Sequence, residues 1–139
     1  MGNGQALQGA ISIRNVSKIY DPEGANVVAM DNCSFEIAAG EFAVIVGPSG
    51  CGKTTLLNAI AGFDNITAGQ IHLDGELISS RQKQIKPNVD RMVVFQNGAL
   101  FPWKTVMQNV TYSPVVQGTM KKTEAVAKAR EMLEKVGLC

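Results

Sequence analysis

The 139 residues suit a single domain, because a chain of this length can bury one sizeable hydrophobic core but not two. Hydrophobic residues make up 45% of the chain and charged residues 18%, and a formal net charge of +1 offers no general attraction for nucleic acid, so no nucleic-acid role is predicted. Three cysteines without C-x-x-C spacing argue against a disulfide framework and a zinc site, and no stretch approaches the roughly 20 apolar residues of a membrane-spanning helix.

The first 40 residues predict two strands of antiparallel sheet. Residues 1–9 are rich in Gly and Gln and are predicted to form a flexible amino end. An edge strand ending near Tyr20 follows, on a weak apolar pattern made by Ile11, Ile13 and Val16. Turn-forming residues fill 21–26, and a half-buried strand is predicted where apolar residues alternate with polar ones, at Cys33, Phe35 and Ile37.

The next segment has the order strand, glycine loop, helix. Residues 42–46 are continuously apolar, which is typical of a central strand covered on both faces. A glycine-rich turn comes directly after them. Residues 53–61 have the composition of a helix, and Gly62 is placed to close that helix in a left-handed cap.

A hairpin and a second apolar strand are predicted further along. Asp74-Gly75 suits a type I′ turn between residues 70–73 and 76–78. Residues 92–95 form a short apolar run that ends at Gln96, and the end of a strand is where an α/β sheet usually presents its chemistry.

Two helices are predicted near the carboxyl end. The first is short, runs to about Tyr112 and is stopped by Pro114. The second covers residues 123–136, ends at Gly137, and has an apolar face formed by Val126, Ala129, Leu133 and Val136. The whole layout predicts a mixed sheet with helices packed against its parallel part.

The glycine-rich turn carries the strongest functional signal. Its residues fit the P-loop pattern G-x-x-x-x-G-K-[ST]: Gly47, Pro48, Ser49, Gly50, Cys51, Gly52, Lys53 and Thr54. Backbone N–H groups of such a loop converge on a phosphate, Lys53 would bridge the β- and γ-phosphates, Thr54 would ligate Mg²⁺, and Thr55 would lie near the α-phosphate. The alternative, an ordinary glycine turn, would match the pattern by chance in roughly half a percent of chains this long.

The motifs in chain order resemble the ATP-binding subunits of bacterial ABC importers. The resemblance rests on residues 13–20, 39–42, 47–62 and 94–96, while residues 97–103 and the pair Thr54-Thr55 are most similar to the nitrate, sulfonate and taurine branch. It implies an α/β fold of the P-loop NTPase class, with a mixed central sheet and an antiparallel β subdomain, incomplete at the carboxyl end. Residues 10–139 would be the amino-terminal part of an ABC ATP-binding domain.

The resemblance also implies roles for residues outside the loop. Tyr20 would stack on adenine, although an aromatic residue at a strand end can also be simple packing. Gln96 would reach Mg²⁺ and the attacking water, so that Lys53 and Gln96 are the candidate catalytic residues and Thr54 and Gln96 the candidate metal ligands; a polar residue that merely ends a strand is the alternative. Residues 101–103 would dock a membrane-spanning permease subunit, with core packing as the alternative for Trp103.

Motifs that complete the family's ATPase site are absent from the sequence. It has no Leu-Ser-Gly-Gly signature, no aliphatic run closing in Asp-Glu and no late histidine, and His72 is interpreted as an ordinary strand residue. We therefore expect a fragment or truncated reading frame covering a little over half of the domain. If full length, the protein would form a head-to-tail dimer with a second ATP-binding subunit.

Two functional classes remain open. The first is the ATP-hydrolysing subunit of a small-anion importer, cytoplasmic and peripheral on the inner face of the cell membrane. The second is a non-catalytic nucleotide-binding fragment. An unrelated P-loop kinase or GTPase would need a base of its own or a guanine-reading motif, and the sequence contains neither.

Overall fold

The structure, a computed structural model, describes residues 8–21, 23–83 and 86–138. The chain divides into two compact units, the first ending at Val93 and the second beginning at Val94. Most of the predicted flexible amino end, residues 1–7, lies outside the described residues, as do Pro22 and Cys139.

The first unit contains a four-stranded antiparallel sheet with the strand order β2-β1-β3-β4. The strands are β1 (Ile11–Tyr20), β2 (Val27–Ile37), β3 (Ala68–Leu73) and β4 (Glu76–Ser80). The predicted strand ending near Tyr20 is confirmed as β1, but its predicted edge position is wrong, because β1 pairs with β2 on one side and with β3 on the other. The predicted second strand is also confirmed as β2. It begins at Val27, six residues before Cys33, the first apolar residue of the predicted alternation.

The β3–β4 hairpin has the predicted turn. Asp74 and Gly75 both have positive φ, 51° and 81°, as a type I′ turn requires. The Asp74 carboxylate also accepts hydrogen bonds from the backbone N–H groups of Gly9 and Ala10, with Oδ1 at 2.8 Å from each nitrogen. One aspartate therefore shapes the hairpin and holds the start of β1 against it.

Helix α1 (Lys53–Ala61) covers the sheet and ends where predicted. Gly62 closes it in the left-handed conformation, with φ 90° and an N–H bond to the Asn58 carbonyl. Leu56 and Ala59 on the buried face of α1 join a core contributed mainly by the sheet: Ile13, Val16, Met30, Ile66 and Ile71. Full burial of each large aliphatic side chain contributes about 1.5–3 kcal/mol, so this cluster is the main stabilising element of the first unit.

The two predicted central strands are wrong for this structure. Neither residues 42–46 nor residues 92–95 are strands, and most of their apolar side chains are exposed: Phe42 is 91% exposed and Val94 is 95% exposed, while Val93 is half-buried. An apolar run needs neighbouring strands on both sides and helices on both faces to become a central strand. No strand of the described residues pairs with either segment, so the sheet that forms is the antiparallel one and the mixed sheet does not.

The second unit is a pair of packed helices, α2 (Val106–Val116) and α3 (Lys122–Lys135). The prediction that Pro114 stops the first helix is wrong, because α2 runs through Pro114 to Val116. Proline lacks one N–H but its φ is compatible with a helix, and the N–H of Gln117 still bonds to the Ser113 carbonyl at 2.9 Å.

Helix α3 occupies almost the predicted range but buries a slightly different face. Its buried residues are Ala125, Ala129 and Leu133, while Val126 is half-buried and Val136 is exposed. The predicted glycine end is confirmed: Gly137 has φ 75°, and the N–H of Leu138 bonds back to the Leu133 carbonyl at 2.9 Å.

Candidate functional site

The P-loop is an exposed backbone turn whose glycines have steric reasons to be glycine. Gly52 has φ 91°, and a Cβ at that position would lie 2.3 Å from the Ala29 carbonyl oxygen in β2. A Cβ at Gly47 would lie 2.7 Å from Cys51 Sγ. The turn closes with a hydrogen bond from the N–H of Cys51 to the Pro48 carbonyl, at 3.4 Å. A side chain at Gly52 would force the loop away from β2, whereas one at Gly47 would require the Cys51 side chain to turn.

The ammonium of Lys53 lies inside this turn. Lys53 Nζ donates to the carbonyl oxygens of Gly47 at 2.7 Å and of Pro48 at 2.6 Å. It also lies 3.4 Å from the exposed thiol of Cys51. The loop thus surrounds one positive charge, whose partners in the described part of the chain include two neutral carbonyl oxygens.

Helix α1 adds a second source of positive potential at the same place. Lys53 is the first helical residue, and its cap, Gly52, has no side chain that could occupy the first N–H groups of the helix. Those N–H groups and the helix dipole favour an anion at this end. Thr54 and Thr55 lie in the first turn, where Thr54 is exposed and Thr55 half-buried.

Few side chains near the P-loop are arranged to bind Mg²⁺. Among the described residues, no group of three or more His, Cys, Asp or Glu side chains could hold a metal ion. Thr54 therefore fits Mg²⁺ only as one oxygen ligand beside phosphate oxygens, which is the usual arrangement for this ion in nucleotide sites.

Tyr20 stands at the end of β1 and is held by two residues that the sequence analysis did not single out. Its hydroxyl donates to Asp64 Oδ2 at 2.5 Å, and Lys18 Nζ lies 4.6 Å from the centroid of its ring. Lys18 Nζ also donates to Asp64 Oδ1 at 2.6 Å. These bonds tie Tyr20 to the segment that follows α1 in the chain.

Hydrogen bonds within this group shift the pKa values of Tyr20 and Asp64. The hydrogen bond to Asp64 raises the pKa of the Tyr20 hydroxyl above its ordinary value. Burial alone would raise the pKa of Asp64, but hydrogen bonds from Lys18 and Tyr20 outweigh it and hold that pKa below its ordinary value. Near neutral pH the carboxylate is charged and the phenol is protonated. The two-residue spacing of Lys18 and Tyr20 on one strand was the available sequence signal for their contact.

Gln96 lies in the second unit. It is exposed and sits in a bend, so the prediction that it ends a strand is wrong for this structure. Its predicted role in metal binding and water positioning stays a prediction.

The predicted docking residues form part of an aromatic cluster in the second unit. The ring of Phe101 lies 5.5 Å from that of Trp103 and 4.9 Å from that of Tyr112, measured between centroids. Asn109 fixes the segment, since its Oδ1 accepts the N–H of Phe101 at 2.8 Å and its Nδ2 donates to the carbonyl of Phe101 at 3.2 Å. Trp103 is 75% exposed, which disfavours core packing as its role.

No helix in the described ranges is long and apolar enough to cross a membrane.

Comparison with known proteins gives consistent matches over most of the chain. The sequence profile of the ABC transporter family matches residues 30–139. An ABC transporter ATP-binding protein of Methanocaldococcus jannaschii is 43% identical over 129 residues, which are 92% of this chain and 45% of that protein. The taurine import ATP-binding protein TauB of Jannaschia sp. is 42% identical over 92% of this chain and 46% of its own length.

A third relative and a solved structure extend the comparison. The bicarbonate transport ATP-binding protein CmpD of Synechocystis sp. is 41% identical over 130 residues, 92% of this chain and 44% of that protein. The chain thus spans just under half of each of these relatives. In three dimensions it is similar to the dimeric, post-hydrolysis ATP-binding cassette MJ0796 bound to ADP and Pi, with a TM-score of 0.70 and 30% identity over 89% of this chain and 56% of that one.

Proposed function

This chain belongs to the ABC transporter family of ATP-binding domains, and from that premise we propose that residues 47–54 are its ATP-binding loop, with Lys53 as the central phosphate contact. Membership of the family confirms the predicted α/β fold of the P-loop NTPase class. One observation carries the proposal: the Lys53 ammonium lies within the loop, at the amino end of α1, with carbonyl oxygens as its partners.

Phosphate would bind here by exchange of partners. A phosphate oxygen carries negative charge, so Coulomb attraction draws the Lys53 ammonium to it more strongly than to a neutral carbonyl oxygen. Lys53 would therefore turn from the carbonyls of Gly47 and Pro48 towards a β- or γ-phosphate. The N–H groups at the start of α1 would bind the same group.

Mg²⁺ would be held by the Thr54 hydroxyl and phosphate oxygens, and the role of Gln96 as a ligand stays a prediction of the sequence. When bound, the ion would neutralise charge on the phosphates. Thr54 is exposed in the first turn of α1, which suits this role. Tyr20 would stack on adenine, a contact that any aromatic face can make with a base. Its hydrogen bond to Asp64 supports this assignment, because Asp64 closely follows α1, the helix that begins at the P-loop.

We further propose that the whole protein drives uptake of a small anion. Relatives named as taurine import and bicarbonate transport ATP-binding proteins support that substrate class. In that setting the exposed Trp103 and its neighbours Phe101 and Pro102 would dock a membrane-spanning permease subunit. A second ATP-binding subunit would pair head to tail with the first, and the assembly would lie in the cytoplasm on the inner face of the cell membrane.

A second candidate is a nucleotide-binding fragment without catalysis. The sequence has no Asp-Glu pair after an apolar strand, and the apolar segments 42–46 and 92–95 lie outside the sheet. Both observations favour binding without turnover for the 139-residue chain.

Both candidate functions require that the P-loop binds ATP through Lys53, and replacing Lys53 by alanine tests this requirement. A ligand at 100 times its dissociation constant stabilises the protein that binds it by about 2.7 kcal/mol. We expect Mg-ATP to raise the thermal midpoint of the wild type and to leave that of Lys53→Ala almost unchanged. Lys121→Ala, which removes an exposed lysine in the second unit, is the control and should respond like wild type. An equal ATP shift in Lys53→Ala and wild type would rule out the proposed phosphate contact.

A further inference from the structure

A three-residue cluster of Lys18, Asp64 and Tyr20 joins the end of β1 to the segment that follows α1. Asp64 is its centre, because its two carboxylate oxygens accept from different partners: Oδ1 from Lys18 Nζ at 2.6 Å and Oδ2 from the Tyr20 hydroxyl at 2.5 Å. Lys18 Nζ has a further partner in the Asn65 carbonyl, also at 2.6 Å. The side chains of Lys18 and Asp64 are only 12% and 24% exposed, so water competes weakly for these bonds.

The cluster restricts how the Tyr20 ring can turn. Its hydroxyl is held by the carboxylate, and the Lys18 ammonium lies over the ring at 4.6 Å from the centroid. Tyr20 as a whole is nevertheless 40% exposed. Because the Lys18 ammonium lies over one face of the ring, a planar ligand would stack on the opposite face.

The backbone beneath the ring is also fixed. Thr67 Oγ1 accepts the N–H of Ile19 at 3.0 Å, and the N–H of Thr67 bonds to the Ser17 carbonyl at 2.9 Å. These bonds hold the end of β1 beside the start of β3. The rotation of the Tyr20 side chain is therefore the main freedom left to the aromatic ring, and Asp64 is the residue that restrains it.

We propose that Asp64 is a positioning residue for nucleotide binding, which orients Tyr20 so that its open face receives the adenine base. The inference rests on the proposed function, since it requires Tyr20 to stack on adenine. Asp64 itself contacts Tyr20 and Lys18 and need not touch the nucleotide. Without its carboxylate, Tyr20 keeps its aromatic face but loses the fixed orientation, and binding must then order the ring.

A purely structural role for Asp64 makes a different prediction. The Lys18–Asp64 ion pair also ties β1 to the segment after α1, and its loss could loosen the whole first unit. Loosening would weaken every ligand of the P-loop alike. A positioning role weakens only ligands that carry a base.

The experiment compares ATP with inorganic tripolyphosphate, which has the phosphates but no base. Affinities for both would be measured by isothermal titration calorimetry for wild type, Asp64→Asn, Tyr20→Phe and the double variant. We expect each single variant to lose on the order of three- to tenfold in ATP affinity, the range of one net hydrogen bond, and to keep its tripolyphosphate affinity. The double variant should be no weaker than the weaker single variant, because both changes act on the same Tyr20–Asp64 interaction.

Two further variants complete the design. Asp31→Asn is the matched control, because Asp31 is exposed in β2, and it should bind both ligands like wild type. Tyr20→Ala should abolish the preference for ATP over tripolyphosphate. Tyr20→Phe keeps the Lys18–Asp64 ion pair and supplies the test on its own if Asp64→Asn does not fold.

The outcomes separate the inference from the function on which it rests. Equal losses for ATP and tripolyphosphate in Asp64→Asn, or an unchanged ATP affinity in both single variants, would overturn the positioning role. An undiminished preference for ATP in Tyr20→Ala would overturn base stacking as well. If wild type binds neither ligand, the proposed P-loop function itself fails.

Discussion

Lys53 shows how a single residue prepares the loop for an anion. Its ammonium has two carbonyl partners at 2.6–2.7 Å, so the side chain is already ordered within the loop. Ordering a long lysine side chain costs up to about 2 kcal/mol of conformational entropy. Because the carbonyl contacts already order the Lys53 side chain in the free protein, phosphate binding loses less side-chain entropy.

Cys51 provides a direct probe of loop occupancy. Its thiol is exposed and lies 3.4 Å from Lys53 Nζ, within the backbone turn that would surround the phosphates. We expect Mg-ATP at about 100 times its dissociation constant to slow maleimide labelling of Cys51 by on the order of tenfold, because the occupied state is shielded. Peptide mapping by mass spectrometry would give the rate at each cysteine.

The Lys53→Ala variant serves as the reference for this measurement, because it should bind little nucleotide and its Cys51 labelling rate should change little when Mg-ATP is added. Cys33 is less suitable, because it lines the same cavity as Cys51 and Lys53. A Cys51 rate that is the same with and without ATP would contradict occupancy of the loop.

At the level of secondary structure, α2 begins with a capping box formed by Thr105 and Gln108. The Thr105 hydroxyl accepts the N–H of Gln108 at 3.2 Å, and the Gln108 side chain accepts the N–H of Thr105 at 2.9 Å. These two bonds satisfy donors that the first turn of a helix otherwise leaves without partners. The cap also sets where the helix begins after the aromatic segment at residues 101–103.

Removing the Thr105 hydroxyl should destabilise α2. We expect Thr105→Ala to lower the free energy of unfolding by about 1 kcal/mol, which is typical of the loss of an N-cap side chain. Chemical denaturation followed by circular dichroism would measure the change. Thr105→Ser keeps the hydroxyl and should be close to wild type, so equal destabilisation of the two variants would show that the hydroxyl is not the stabilising group.

For the whole molecule, the central prediction is that the 139-residue chain does not turn over ATP even where it binds it. The sequence offers no acidic pair after an apolar strand, so no such carboxylate orients the attacking water. Loss of a positioned general base typically costs about a hundred- to ten-thousand-fold in rate. Phosphate release by the purified chain should therefore stay at the background without enzyme, with the same trace for Lys53→Ala.

Steady phosphate release that Lys53→Ala abolishes would contradict this prediction. It would also show that Lys53, Thr54 and Gln96 suffice for hydrolysis without an acidic pair. The three relatives described above are about twice as long as this chain, which covers 44–46% of them. Measuring phosphate release from the 139 residues alone therefore tests what this part of the domain can do by itself.

Features that depend on neighbouring residues could be predicted from the sequence. Asp74-Gly75 predicts its turn because both residues tolerate positive φ, and Gly62 predicts a helix end for the same reason. The P-loop pattern identified the candidate phosphate site, and the structure places Lys53 inside it. These features are local, so the backbone preferences of a few consecutive residues determine them.

Features that depend on distant partners were decided only by the tertiary structure. Residues 42–46 have the composition of a central strand, yet they lie outside the sheet because strand formation requires hydrogen-bonded neighbours that no local pattern supplies. Asp64 meets Tyr20 across 44 residues of chain, which no spacing in the sequence could indicate. The sequence alone thus determined the loop, the turns and α1, whereas packing between distant segments decided which apolar runs became sheet and how Tyr20 is held.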